Sequence, residues 1–223
     1  MKKETLQKRT KIANDIMYYI YTHIETNIDI EDLSIDLGIS KFHMHRIFKE
    51  AFGKNIYESI KSIRLQKASN LLLTNKYSTI SNIVNLCGYS SQSSFIKIFK
   101  DRFEMTPKEW KNGGYKEYSQ KILLQSQRAS QSKANFKDMV PTIVKMPAIE
   151  SFYIRNKGYN VNIKETWQKL QTWILTNDIT SYKRIALFHD NPTITPLNEC
   201  QYIGCIMVED KKSVKSDRLP NFK

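Results

Sequence analysis

The sequence predicts a multidomain chain of classes α and α+β, all-α first and α+β after it. Three observations carry that prediction. From about residue 9 to 112 apolar residues recur with helical period. Within that stretch one pattern is written twice, about fifty residues apart. After about residue 140 the apolar runs become β-branched or aromatic and are bounded by Pro, Gly or Asn. A length of 223 residues accommodates two domains of modest size.

Composition narrows the function classes. Apolar residues at 40% are enough to build cores, which excludes wholesale disorder. A formal charge of +13 points to a polyanionic partner, either nucleic acid or an anionic membrane face. The longest apolar runs, Leu71–Leu73 and Ile185–Phe188, fall far short of the ~20 residues that span a bilayer, so no membrane partner is expected. The start, Met1-Lys-Lys-Glu-Thr, has no apolar run of the signal-peptide kind. Three cysteines without CxxC spacing argue against a disulfide scaffold or zinc ribbon and suit a reducing cytoplasm. Residues 1–118 hold 19 basic and 13 acidic groups, and residues 137–223 hold 13 and 9. Charge therefore singles out neither half, and arrangement must decide.

The helices follow in order. Ile12, Ile16, Ile20 and Ile24 recur every fourth residue as one stripe, and Asn27 is expected to close that helix in a left-handed conformation. Asp29 is a suitable N-cap for a second helix, with Asp32 three residues on. Ile56, Ile60, Ile63, Lys67, Leu71 and Leu72 mark one long helix, with Asn55 as its N-cap and Asn75 near its end. Residues 119–136 are rich in Ser and Gln and free of acids. They read as a linker with a short helix around Ile122–Leu124. Strands are expected at Thr142-Ile-Val-Lys, Ser151-Phe-Tyr-Ile-Arg, Arg184-Ile-Ala-Leu-Phe and Tyr202-Ile-Gly-Cys-Ile-Met-Val. Trp167, Leu170, Trp173 and Ile174 have helical spacing between them, which makes the order β-β-α-β-β. The resulting domains are 1–112, a linker 113–139, and 140–223.

The repeat carries the function. Residues 29–52 and 79–103 match at an offset of 50 up to the Gly, and of 51 after one extra turn residue. Each copy has a short apolar helix, a Gly, a Ser and a helix ending in Phe-Lys. Helix, tight turn, helix is the helix-turn-helix plan. Gly38 and Gly88 fit the turn because a left-handed residue is cheap there only for Gly. Ser40 and Ser91 cap the second helices, whose dipole ends then suit a phosphate. On the first recognition helix Met44, Ile47 and Phe48 form the inward stripe, and Lys41, Phe42, His45 and Arg46 the reading face. On the second, Phe95, Ile98 and Phe99 point inward, and Gln92, Ser93, Ile96 and Lys97 read. Arg and Lys suit guanine, Gln suits adenine, and Phe or Ile meets a thymine methyl. Ser40, Lys49, Arg64, Ser91 and Lys100 are the phosphate candidates, each with a plainer alternative as a cap or a solvated charge.

This stretch resembles the AraC/XylS family of transcription regulators, at its Rob- and MarA-like end. The match rests on Leu33, Gly38, Ser40, Phe48, Gly53 and Arg64, then on Gly88-Tyr89-Ser90-Ser91-Gln92, Phe95, Phe99-Lys100, Phe103, Thr106-Pro107 and Trp110. Ser34, Val84, Ser59 and Trp110 depart from the family's usual Ala or Tyr, as core changes. The resemblance implies two helix-turn-helices in successive major grooves of an asymmetric site. The later residues Ile154-Arg-Asn-Lys-Gly-Tyr, Trp167-Gln-Lys-Leu-Gln-Thr-Trp, Phe188-His-Asp-Asn-Pro and Glu199-Cys-Gln-Tyr-Ile-Gly resemble a GyrI-like effector-binding domain. That domain has two βαββ repeats, and only the first is matched, so the C-terminal domain is expected to be a truncated one. Its ligand candidates are Tyr159, Trp167 and Phe188, and the acidic residue that often meets cationic ligands has no counterpart here.

Plainer readings stand beside these. His43 is expected at the surface, and His43 and His45 are two apart, wrong for a metal pair on a helix. His189 beside Asp190 reads as a loop histidine. Cys87 is expected in the core, and Cys200 and Cys205 reduced, on opposite faces of a strand. Trp173 reads as core, and Trp167 as core or cleft wall. No nucleophile–base pair, metal cluster or phosphate loop stands out, so neither an enzyme nor a cofactor is expected. The expectation is a cytoplasmic, nucleoid-associated, sequence-specific double-stranded-DNA-binding regulator, an activator working with RNA polymerase, with a small-molecule effector. The alternative is a module that sequesters a small molecule or protein through its C-terminal domain.

Overall fold

The structure, a computed structural model, describes residues 2–75, 77–125, 145, 151–209 and 214. Its packing divides the chain into two units, Met1–Lys116 and Glu117–Lys223.

The first unit is all-α. Its helices are α1 (Lys2–Thr22), α2 (Ile30–Asp36), α3 (Lys41–Phe52), α4 (Ile56–Thr74), α5 (Ile80–Leu86), α6 (Gln92–Phe103) and α7 (Pro107–Glu109), followed by a π-turn at Trp110–Gly114. Short polar side chains set the starts. Asp29 accepts from the Glu31 and Asp32 amides, Thr79 from Asn82, and Asn55 from Glu58 while Glu58 returns a bond to the Asn55 amide. Gly38 and Gly88 turn the chain at φ +62° and +70°. The Ile stripe of α1 is buried as expected, with Ile16 and Ile20 sealed against Met44, Ile47 and Phe48 of α3.

Two details differ from the sequence reading. The first helix begins at Lys2, before residue 9. Asn27 is not left-handed, and the first helix ends earlier, at Thr22. At the helix end Thr22 Oγ1 donates to the Tyr18 carbonyl at 3.0 Å, and in the segment beyond it Arg64 takes the carbonyls of Ile24 and Thr26.

The second unit opens within α8 (Tyr115–Gln125), which makes helix of the first part of the expected linker. Gly113, at φ +118°, breaks the run between π-turn and helix. Tyr118 and Ile122 are buried, Leu124 is exposed, and the Tyr118 hydroxyl donates to the Ile194 carbonyl at 3.4 Å. Burial of an apolar pair one turn apart explains why Ser/Gln-rich chain is helical there. The rest of that linker, 126–139, lies outside the described residues, as does the strand expected at 142–145 apart from Lys145. The described remainder is β1 (Phe152–Lys157), α9 (Asn162–Thr176), β2 (Tyr182–Phe188) and β3 (Gln201–Val208). The sheet order is β1-β3-β2, with β3 antiparallel to both neighbours. Phe152, Ile154, Ile206 and Val208 share the face on which α9 lays Leu170, Trp173 and Ile174. Gly204 permits that approach, since a Cβ there would lie 3.0 Å from Thr166 and 3.1 Å from Leu170.

Candidate nucleic-acid interface

The two recognition helices, α3 and α6, are the same length and start the same way. Ser40 Oγ accepts from the His43 amide, and Ser91 Oγ accepts from the Ser94 amide, each at 3.3 Å. Counting from those caps, Lys41 matches Gln92, Phe42 matches Ser93, His45 matches Ile96, Arg46 matches Lys97 and Lys49 matches Lys100. Their inward partners are buried: Met44, Ile47 and Phe48 in one, Phe95 and Phe99 in the other. Ile98 is half-buried.

On α3 the outer face is crowded with partners. Phe42 is 78% exposed, a large apolar ring in water with no core role. Lys41 pairs with Glu31 of α2, and that carboxylate holds its ammonium above the ordinary pKa. Arg46 Nε lies 4.0 Å from Glu50 one turn on, and Glu50 also accepts from Arg9 of α1 at 3.2 Å. His45 is half-buried, its ring centroid 5.5 Å from that of Tyr57. His43, expected at the surface, is half-buried, and its Nε2 is buried with no hydrogen-bond partner among the described residues. Its place one residue before Met44 tilts the ring toward the core boundary.

On α6 the outer face is open. Gln92, Ser93, Lys97 and Lys100 are exposed and Ile96 is half-buried. Neither Lys97 nor Lys100 makes an ion pair among the described residues.

Arg64 is placed differently from the phosphate role expected of it. Its Nε donates to the Ile24 carbonyl at 3.2 Å and its Nη2 to the Thr26 carbonyl at 2.7 Å. The guanidinium also lies 5.7 Å from the centre of the Tyr89 ring. Burial lowers its pKa, raises that of Cys87 to about 11 and raises that of Tyr89 to about 12. An Arg on a long amphipathic helix reads from sequence as a solvated charge. Only the fold brings the two carbonyls of the segment after α1 to it.

In the second unit the three ligand candidates do come together, through a fourth residue that sequence reasoning missed. The Tyr159 and Phe188 rings meet edge-on at 5.2 Å, Phe188 meets Tyr202 at 5.1 Å, and Trp167 Nε1 donates to the Tyr202 hydroxyl at 2.6 Å. The Phe188–Tyr202 contact follows from register, since the two are directly opposed across β2 and β3. Phe188 stays 63% exposed. Arg184 lies over the Trp167 ring at 5.9 Å, a cation at the edge of the cluster. The Asp190 carboxylate, beside His189, accepts the Gln201 amide at 2.6 Å. Cys200 and Cys205 are both buried and not joined in a disulfide, and Cys200 Sγ donates to the Thr195 carbonyl at 3.4 Å. Cys200 precedes β3, so the alternation argument does not reach it. Among the described residues no group of His, Cys, Asp or Glu is arranged to hold a metal ion. No helix among them is long and apolar enough to cross a membrane.

Comparison with known proteins bears on this geometry. Residues 33–113 match a family model described as a helix-turn-helix domain, and residues 139–221 one described as a GyrI-like small molecule binding domain. The probable transcription factor PqrA of Proteus vulgaris is 34% identical over 46% of this chain and 85% of its own length. The Tn10 TetD protein of Escherichia coli is 31% identical over 45% of this chain and 72% of that protein. The xylose operon regulatory protein of Escherichia coli K12 is 34% identical over 43% of this chain, which spans only 24% of that longer regulator. Two capped helix-turn-helices joined by one helix, matched across most of PqrA, place the protein: the chain belongs to the AraC/XylS family of DNA-binding transcription regulators.

Proposed function

We propose that both helix-turn-helices read one duplex, in adjacent major grooves of an asymmetric site, and that the protein activates transcription with RNA polymerase. The observation that carries the reading is the pair of equivalent outer faces on α3 and α6, capped alike and both free of core duty. A spacing of about 34 Å between them would set both on one side of B-DNA. Lys41, Phe42, His45 and Arg46 read bases in one half of the site, and Gln92, Ser93, Ile96 and Lys97 in the other. Ser40, Lys49, Ser91 and Lys100 position the protein on phosphates. Residues 1–112 suffice for this, so the domain after the linker is regulatory, and the protein works in the cytoplasm on the nucleoid. Selection of bound oligonucleotides from a random pool tests the reading: it should return one asymmetric site with two conserved blocks. Deleting residues 137–223 should leave affinity for that site nearly intact. A single block, or no enrichment, would refute the reading.

A second activity rests on the GyrI-like match and the Tyr159–Phe188–Tyr202–Trp167 cluster. This cluster is proposed to hold a small-molecule effector by stacking, chiefly on the exposed Phe188 ring. Trp167 fluorescence quenched by a ligand, and left unquenched in Phe188→Ala, would support it.

A further inference from the structure

Three elements of the first unit converge where neither recognition helix is. The carbonyls of Ile24 and Thr26 lie in the segment just after α1, and Arg64 of α4 donates to both, at 3.2 and 2.7 Å. One turn on, Lys67 Nζ reaches Glu25 at 2.5 Å. From the second copy the α5–α6 turn arrives on the same spot. Gly88 sits so close that a Cβ there would fall 2.5 Å from the Ile24 carbonyl oxygen and 2.8 Å from Arg64 Nη2. Its neighbour Tyr89 lies under the guanidinium at 5.7 Å. Gly38, the equivalent glycine of the first copy, has nothing within 4 Å of its Cβ position. The turn glycines thus differ: both serve a left-handed backbone, but only Gly88 also serves a close approach.

From this asymmetry we infer that Arg64 is a positioning residue that fixes the distance and phase between the two recognition helices, and so sets the spacing of the two half-elements the protein accepts. The inference rests on the two-groove reading proposed above. A connecting helix alone fixes an axis, not the seating of what hangs on each end. The two copies have separate cores, and a swing about α4 is resisted where they touch directly. Arg64 is tied to the first copy by two hydrogen bonds and to the second by its ring contact, and Gly88 closes the gap. Inserting one base pair moves the second half-element by about 3.4 Å and turns it by about 34°. A locked junction cannot follow that displacement, while a loosened one can.

The test uses the full chain and its selected site, with one base pair inserted or removed between the two blocks. The wild type should bind both altered duplexes about 10-fold or more weakly, because one helix loses its base contacts. Arg64→Met should bind all three duplexes within about 3-fold of one another. A merely structural role would lower melting temperature and affinity alike on every duplex and leave the ratio at its wild-type value, which overturns the inference. Arg64→Lys keeps the charge but not the fork, and Gly88→Ala adds the clashing Cβ, so both are read by the same ratio and decide the matter if Arg64→Met does not fold. A wild-type ratio near one overturns the two-groove reading and this inference together. A large wild-type ratio retained by the variants overturns this inference alone.

Discussion

The two helix-turn-helix copies share a backbone and differ in chemistry on both sides of it. The first core is mostly aliphatic, with Ile16, Ile20, Ile24, Leu33, Met44 and Ile47, and with Phe48 and Phe52 as its buried rings. The second is an aromatic chain: Phe95 to Phe99 at 5.5 Å, Phe99 to Phe103 at 4.5 Å, Phe103 to Trp110 at 4.6 Å. Outward, Lys41 and Arg46 of α3 are held by Glu31 and Glu50, while the lysines of α6 have no ion pair among the described residues. Duplication preserves what the fold needs, namely caps, turn glycine and inward spacing. The reading faces diverge because nothing in the fold constrains them.

The largest way to break this comparison is through the cores. Phe99→Ala should cost about 3–5 kcal/mol, since the ring touches three others and leaves a cavity that its neighbours cannot fill. Ile20→Val, in the aliphatic core, should cost about 0.5–1.5 kcal/mol. Urea unfolding followed by circular dichroism measures both. A loss for Phe99→Ala no larger than that for Ile20→Val would mean that the aromatic chain does not hold the second core together.

On the reading faces, Arg46→Ala should weaken binding to the selected site by about 1–3 kcal/mol and relax preference at one base pair of the first block. Gln92→Ala should do the same in the second block. Repeated selection with each variant checks this, and unchanged preference in a folded variant would remove that helix from base reading.

A smaller effect separates reading from clamping. Lys100→Gln should reduce the slope of log affinity against log salt by about 0.9 and leave the preferred site unchanged. Titrations between low and moderate salt measure the slope.

The smallest expected effect concerns the cap after α6. The Thr106 amide and hydroxyl donate to the Glu109 carboxylate and hold its pKa below the ordinary value of 4.5. A lowered folded value means the contribution is present above the unfolded pKa and disappears as pH falls through the folded one. The wild type should therefore lose thermal stability on acidification below pH about 4.5 more steeply than Glu109→Gln, as melting curves at successive pH values would report.

By itself the sequence determined the local structure of the first unit. Caps at Asp29, Ser40, Asn55 and Ser91, glycines at 38 and 88, and apolar spacing are all interactions within a few residues, so they are legible in the order of residues. The repeat made the assignment possible, because two copies of a short pattern seldom agree by accident. In the second unit β1, β2 and β3 were legible from β-branched and aromatic runs, and a short helix was expected around Ile122–Leu124, but its extension back to Tyr115 was not, since that part depends on burying Tyr118 with Ile122. Tertiary structure alone decided Arg64, whose partners lie 38 and 40 residues away, and the meeting of Trp167 with Tyr202, 35 residues apart. It also decided that Lys41 would find Glu31 on a neighbouring helix. A side chain's partner across the fold depends on how whole elements pack, and no spacing rule along the chain encodes that.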